Sequence, residues 1–401
     1  MNTSRLFDFF KGDKYLWIVV ILLSIFGIIA IFSSTEILSY KKETSLFFYF
    51  FKHFVIVILS LAIAYFVQLI PYQYYAGIWK LLLPLSVVAL IYAMFFGGKI
   101  NEAGRWIEIP VINLTFQASD LAKVALVLFL SRFMSKNQEH IKEFKRGFLP
   151  MLAVVGVICF LIFLENVSTS IMLFMMAVVM MFVGRVNNFH LFGLLAAMAL
   201  CVFLAVTIML KVPDEYLKIG RLRTAKTRIE HFGAGDKEML YQVKHANIAI
   251  ANGGILPNGP GNSRQKYFLP NAFSDYVYAI IIEEWGLFGG VIILVLYLVF
   301  LYRIILIVLN SPRTFGALVA LGLGLSIVIQ AFFHIMVNVG ILPSTGVTLP
   351  FVSMGGSSIF FFGFALGIII SVSKSVENDD LGKAPKNESY IEELEQQISV
   401  L

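Results

Sequence analysis

The chain has 401 residues, of which 59% are hydrophobic and only 14% charged, with a formal net charge of +6. A typical soluble domain is about 25% charged, and the apolar runs here reach about 20 residues, enough to cross a bilayer as helices. The pattern excludes a soluble enzyme, and Cys159 and Cys201, both inside apolar runs, exclude a disulfide or zinc framework.

The N-terminal segment, residues 1–15, is polar and mildly basic, and the first apolar run lacks a small-residue cleavage pattern, so it is expected to stay as an anchor. That first span is expected over 16–33, the second over 54–70 ending at Pro71, and the third over 78–96 with a kink at Pro84. A polar loop then runs to about Ser119, and a fourth span to Met134. Residues 135–147 are charged and net basic; spans five and six, 148–164 and 167–183, are separated only by Glu165 and Asn166. A seventh span, 189–210, leads into a long polar segment over 211–274. After it, a short helix carrying Asp275 and Glu283 is expected, interrupted at Gly286, Gly289 and Gly290, with the eighth span beginning near Leu287. Spans nine and ten fall at 315–337 and 357–372, within a transmembrane domain of 16–373, and 374–401 forms a polar tail.

The fold class is thus an all-α polytopic membrane protein of ten helices, with a large loop between helices seven and eight. Ten spans place both termini on one side, where short-loop cations such as Arg185, Arg303 and Arg313 mark the cytoplasm. The long segment falls outside the cell yet holds Arg221, Arg223, Arg264 and Lys266 among its cations. An anionic ligand explains that bias; a solvated loop of basic composition is the plainer alternative.

Four clusters on the exported side keep polar residues that packing does not require. The first joins Arg105 and Trp106 to Gln117, Ser119, Asp120 and Lys123. Asp120 and Lys123 are three apart, so on a helix they face one another; Lys123 could instead extend to the interface. The second is Glu165-Asn166 with Ser168, Thr169 and Ser170, which also reads as a short turn capped by Asn166 or Ser168. The third is the long segment, with Gln242, and its end at 259–286, where Asp275 stands among Phe268, Phe273, Tyr276 and Tyr278. An ionisable residue at membrane depth is a functional candidate by default, and apolar neighbours would make this carboxylate a stronger base. The fourth, 338–358, includes Ser357 and is rich in proline and glycine, implying irregular backbone that is either buried in protein or lines a polar cavity, with a plain loop as the alternative.

The stretches GRWIEIPVINLTFQASDLAK, LENVSTS, GPGNSRQKYFLPNAFSDYVYAIIIEEWG and NVGILPSTGVTLPFVSMGGSS, in this order, resemble the SEDS family (shape, elongation, division and sporulation) over nearly the whole chain. The wording of GNSRQKYFLP and LPSTGVTLP is closer to its division branch than to its elongation branch. The resemblance implies ten helices around a cavity facing the outer leaflet, and a peptidoglycan glycosyltransferase acting on lipid II at the septum, in the bacterial cytoplasmic (inner) membrane. It also implies a class B penicillin-binding protein as partner, among other division proteins, and no nucleic acid. The family's essential acid falls on Asp275, its motif lysine on Lys123, and the arginine of its Arg-Trp pair on Arg105. Asn271, Phe273 and Ser274 replace the usual Glu, His and Thr, and Ala118 and Asp120 stand where Pro and Glu are common.

That chemistry asks for a base, Asp275, to deprotonate a sugar hydroxyl, and for cations to meet the leaving pyrophosphate. Arg105, Lys123, Arg221, Arg223, Arg264 and Lys266 are the candidates, with Gln117, Gln242 and Ser357 as further substrate contacts. No close carboxylate pair is visible, so a divalent metal, Mg or Mn, would ride mainly on the substrate pyrophosphate. A lipid flippase would share the polar cavity and broken helices, and a non-catalytic division scaffold would not need Asp275 at all.

Overall fold

The computed structural model describes residues 12–41, 43–100, 103–109, 114–211 and 241–383. The first long helix, α1 (Lys14–Ser34), is capped by Asp13, whose Oδ1 accepts from Leu16 N at 3.1 Å. The same carboxylate accepts from Arg303 Nε at 2.8 Å, and the Asp13 amide donates to Ser373 Oγ at 2.8 Å. The start of the bundle is thereby tied to two helices near its end.

A short α2 (Glu36–Lys41) leads to α3 (Leu46–Leu69), which starts well before the expected residue 54. Lys52 and His53 interrupt the apolar run in sequence but not the helix: Lys52 is exposed, while His53 turns inward and is buried. α4 (Tyr75–Phe96) accommodates Pro84 within one helix. The polar loop expected after it contains a small antiparallel sheet, β1 (Gly98–Ile100), β2 (Ala103–Ile109) and β3 (Leu114–Gln117), in that order, with Trp106 paired to Gln117. Alternating β-branched and aromatic residues in WIEI and LTFQ favour strands there.

Then follow α5 (Ala118–Lys136), α6 (Leu149–Glu165), α7 (Val167–Val183) and α8 (Asn188–Lys211). Asn166 caps α7, its Oδ1 accepting from Thr169 N at 3.2 Å, so the capped-turn reading of Glu165-Asn166 holds. Within the long polar segment, 212–240 lie outside the described residues; α9 (Tyr241–Gly253) is a helix inside what was expected to be loop.

α10 (Val277–Asn310) begins after Asp275, which sits in the preceding turn and not on the helix as expected. The break is at Gly286, with φ 69° and ψ −176°, a conformation open to glycine alone. A Cβ there would come within 2.6 Å of Ile255 O. The freed backbone is taken up by the neighbouring turn, through Leu287 N to Gly254 O and Gly259 N to Glu284 O, both at 2.9 Å.

α11 (Thr314–Asn338) lies at the centre, packed on α5, α7, α10 and α12 (Ser358–Lys383). A Cβ on Gly322 would meet Met180 Sδ and Val127 Cγ1 at 2.6 Å, so this glycine sets how closely α7 and α5 approach. α12 continues past the expected end of the last span, through residues assigned to the polar tail.

Among the described residues, eight helices are long and apolar enough to cross a membrane: α1, α3, α4, α6, α8, α10, α11 and α12. The expected fourth and sixth spans are helical too, but they are α5, which carries Asp120, Lys123, Arg132 and Lys136, and α7, whose 17 residues fall short. Both have a physical reason. α5 packs on protein along much of its length and keeps Asp120 and Lys123 toward the interior, with Arg132 and Lys136 exposed at its far end, and 17 residues at ~1.5 Å each give ~25 Å, less than the ~30 Å hydrocarbon core.

Candidate active site

One cavity of about 230 Å³ gathers residues from all four polar clusters expected on the exported side and from the central helix. Gln117, Asp120 and Lys123 enter from the β3–α5 junction and Thr169 from the start of α7; 271–275 and 346–358 contribute the facing walls. Asp275 lines it, with Phe273 and Ser274 beside it.

Lys123 is held by two partners. Its Nζ lies 2.7 Å from Asp120 Oδ1 and donates to Gln330 Oε1 at 2.9 Å. Asp120 also accepts from Ser358 Oγ at 2.5 Å, and Gln330 Nε2 donates to Thr348 O at 3.0 Å. An ammonium has three donors, so two fixed bonds leave one for a ligand in the cavity. The three-residue spacing of Asp120 and Lys123 therefore produces the pair expected of it.

Asp275 Oδ1 accepts from Ser274 Oγ at 2.9 Å. The hydroxyl that replaces the family's usual threonine thus orients the carboxylate, while Phe273, in place of the histidine, lines the cavity wall. The aromatic neighbours of Asp275 in sequence do not enclose it. Tyr276 and Tyr278 are buried, donating to Gln242 Oε1 at 3.3 Å and Gly290 O at 3.1 Å, and Phe268 stacks on His245.

Other expected site residues are placed elsewhere. Gln117 lines the cavity, and its amide donates to Ser357 Oγ at 3.1 Å; Ser357 is buried outside the lining and so positions Gln117. Gln242 serves Tyr276. Arg264 is exposed and does not line the cavity. Lys266 is buried and does not line the cavity: its Nζ lies 2.7 Å from Glu36 Oε2 and donates to Gly261 O at 2.9 Å. These contacts give Lys266 a structural part in joining the basic turn to α2. Arg105 lies on β2, its side chain outside the described residues, as are Arg221 and Arg223 altogether.

Glu283 and Glu284 also serve the fold. Glu283 accepts from Ser263 Oγ and from Gln265 N at 3.1 Å, and Glu284 accepts from Ser33 Oγ. Neither lines the cavity. They pin the basic turn at 263–266 and the end of α1 to the broken helix.

The Lys266 hydrogen bond holds the Glu36 carboxyl below its ordinary value of 4.5, with Tyr267 adding to the effect and burial opposing it. A depressed folded value means the pair's contribution is full above 4.5 and is lost as pH falls through the lowered one. Glu36 is 48% exposed, so solvent screening keeps the effect small. Glu36→Gln should lower the thermal unfolding temperature in detergent near neutral pH, with the gap to the parent closing in acid; a gap unchanged by acid would contradict this.

Gln330 is a site residue that the sequence reading passed over, while Thr348 in the lining and Asn338 behind it fell within the fourth cluster without being singled out. The available signal was spacing: Gln330, His334 and Asn338 recur every fourth position on a helix that is otherwise apolar there, and so share one face.

A family model described as cell cycle protein, covering FtsW, RodA and SpoVE, matches residues 13–378. A probable peptidoglycan glycosyltransferase FtsW from Coxiella burnetii is 30% identical over 373 residues, 90% of this chain and 96% of its own length. Stage V sporulation protein E from Bacillus subtilis is 31% identical over 369 residues, covering 90% of this chain and 97% of its own. A chain from a peptidoglycan synthase complex shares the fold with a TM-score of 0.70 at 23% identity, covering 90% of this chain and 98% of that one. Thermus thermophilus RodA does so at 0.63 and 22%, covering 90% and 97%. With a family match along nearly its whole described length and relatives aligned almost end to end, the chain belongs to the FtsW, RodA and SpoVE family of cell cycle proteins, the SEDS family.

Proposed function

We propose that the protein is a peptidoglycan glycosyltransferase that polymerises lipid II into glycan strands during septal wall synthesis. The observation that carries this reading is the convergence of Asp275 and the Lys123–Asp120 pair on one cavity. In the proposed step Asp275 takes the proton of an attacking sugar hydroxyl as its oxygen bonds to the anomeric carbon of a second lipid II. The bond from that carbon to the pyrophosphate breaks on the opposite face, and the electron pair leaves with the phosphate. Lys123 offers its remaining donor to the developing charge. Attack opposite the leaving group inverts the anomeric centre and gives a β-linked product.

A resident metal site does not fit these residues. Asp120 is committed to Lys123 and Ser358, and no group of three or more His, Cys, Asp or Glu is placed to hold an ion among the described residues. Mg or Mn would arrive on the pyrophosphate, with Asp275 as the carboxylate within reach.

The reading includes ten spans, cytoplasmic termini, the inner membrane as location, and a class B penicillin-binding protein as partner. It is supported by the FtsW-named relatives and by the fold shared with a chain of a synthase complex. Single cysteines at Lys142 and Lys244, in a background lacking Cys159 and Cys201, test the topology. Impermeant reagent on intact cells should label Lys244→Cys and spare Lys142→Cys; the reverse overturns the map. The activity is tested with purified full-length protein and its partner in detergent, where glycan strands should form from lipid II alone. A well-folded complex that makes none would refute the assignment.

A further inference from the structure

The turn that carries Asp275 is held by its backbone to an unusual degree. Three consecutive carbonyls, those of Phe273, Ser274 and Asp275, each accept a hydrogen bond from the segment between α11 and α12 or from the end of α11. Met354 N donates to Phe273 O at 3.1 Å, Ser353 Oγ to Ser274 O at 2.7 Å, and Asn338 Nδ2 to Asp275 O at 3.1 Å. Asn338 is fully buried and uses both ends of its amide: Nδ2 also donates to His334 O at 2.8 Å, and Oδ1 accepts from Ala279 N at 3.1 Å. Ala279 N is among the first amides of α10, which lack partners within their own helix, and Tyr276 at the cap offers no side-chain bond. Asn338 therefore caps α10 from a different helix while gripping the residue just before that cap.

The same α11 face reaches the other side of the cavity. Two turns earlier, Gln330 receives Lys123 Nζ and donates to Thr348, and between them His334 Nδ1 lies 2.7 Å from Val347 O. One helix face thus fixes Asp275 at its end and Lys123 eight residues before.

We infer that Asn338, with Ser353, is a positioning residue that holds the Asp275 carboxylate in register with the Lys123 ammonium. The inference rests on the reading of Asp275 as the base. A turn freed of these bonds keeps its carboxylate but loses the aim, and a small misplacement of a reacting group is costly in rate. Ser353 Oγ also accepts from Leu349 N at 2.8 Å, while Lys123, Gln330 and Thr348 keep their own bonds across the cavity.

The experiment compares Asn338→Ala and Ser353→Ala, each also in an Asp275→Asn background, in the full-length protein with its partner, by steady-state polymerisation of lipid II. Ser353→Ala removes one oxygen and keeps the test decisive where Asn338→Ala lowers the yield of folded protein. Each single variant should lose about 10–100-fold in kcat with KM within about twofold, and should cost nothing further once Asp275 is already Asn. A merely structural residue would lower the unfolding temperature and leave the kcat of the folded fraction intact. Parental kcat in the Ser353→Ala protein, or an undiminished loss in the Asp275→Asn background, overturns the inference. Full activity in Asp275→Asn itself would instead overturn the base assignment, so the two failures are distinguishable.

Discussion

Asp275→Asn is expected to lower the rate of lipid II polymerisation by about 10²–10⁴-fold, the usual cost of losing a positioned general base. The change keeps shape and hydrogen bonding: Ser274 Oγ, which donates to Oδ1 at 2.9 Å, can donate equally to an amide oxygen. The turn should stay in place, because the carbonyls of Phe273, Ser274 and Asp275 each accept a bond that the substitution leaves intact. A neutral amide is also cheaper to keep near a membrane than a carboxylate. What is lost is the negative charge and, with it, proton acceptance. The measurement is glycan chain formation in detergent, where no second leaflet exists, so a flippase defect cannot imitate the result. A scaffold would be indifferent to the substitution. Parental polymerisation by folded, partner-bound Asp275→Asn protein would remove Asp275 from the mechanism.

Much of this site was legible in the sequence because its chemistry breaks an apolar pattern. Asp275 and Lys123 are charges where hydrocarbon is the rule, and the spacing of Asp120 and Lys123 announced their pairing. Irregular backbone over 338–358 was readable from its prolines and glycines, and it does line the cavity. The cations of the long segment were not legible in the same way. Composition puts Lys266 and Arg264 side by side as equivalents, yet one is buried against Glu36 and the other exposed, a difference set by a partner 230 positions away. Charge counts cannot see such partners. The bounds of α3 failed for a related reason: Lys52 and His53 stop a hydropathy window, but the helix turns one outward and the other into the bundle. Asn338 was hidden because a polar residue at a helix end is ordinary until the structure shows both ends of its amide in use.

Lys123 permits the second large effect to be separated into its parts. Lys123→Gln removes the charge facing the cavity, and it also strands Asp120, which is 3% exposed and would keep the Ser358 hydroxyl but lose its cation. Breaking a buried pair by removing one partner costs about 3–5 kcal/mol, so the single variant should be visibly less stable as well as inactive, and its inactivity alone would say little. Asp120→Asn restores the balance, since an amide in that place needs no cation and can still accept from Ser358. The double variant Asp120→Asn with Lys123→Gln is therefore expected to recover most of the parental unfolding temperature. Its polymerisation rate should remain about 10²–10³-fold down, the cost of deleting one preorganised donor aimed at developing charge. Stability and rate are read on the same preparations, by thermal unfolding and by glycan formation from lipid II. Recovery of both together would make Lys123 a structural partner of Asp120, and the cation that meets the pyrophosphate would then have to be sought among Arg105, Arg221 and Arg223.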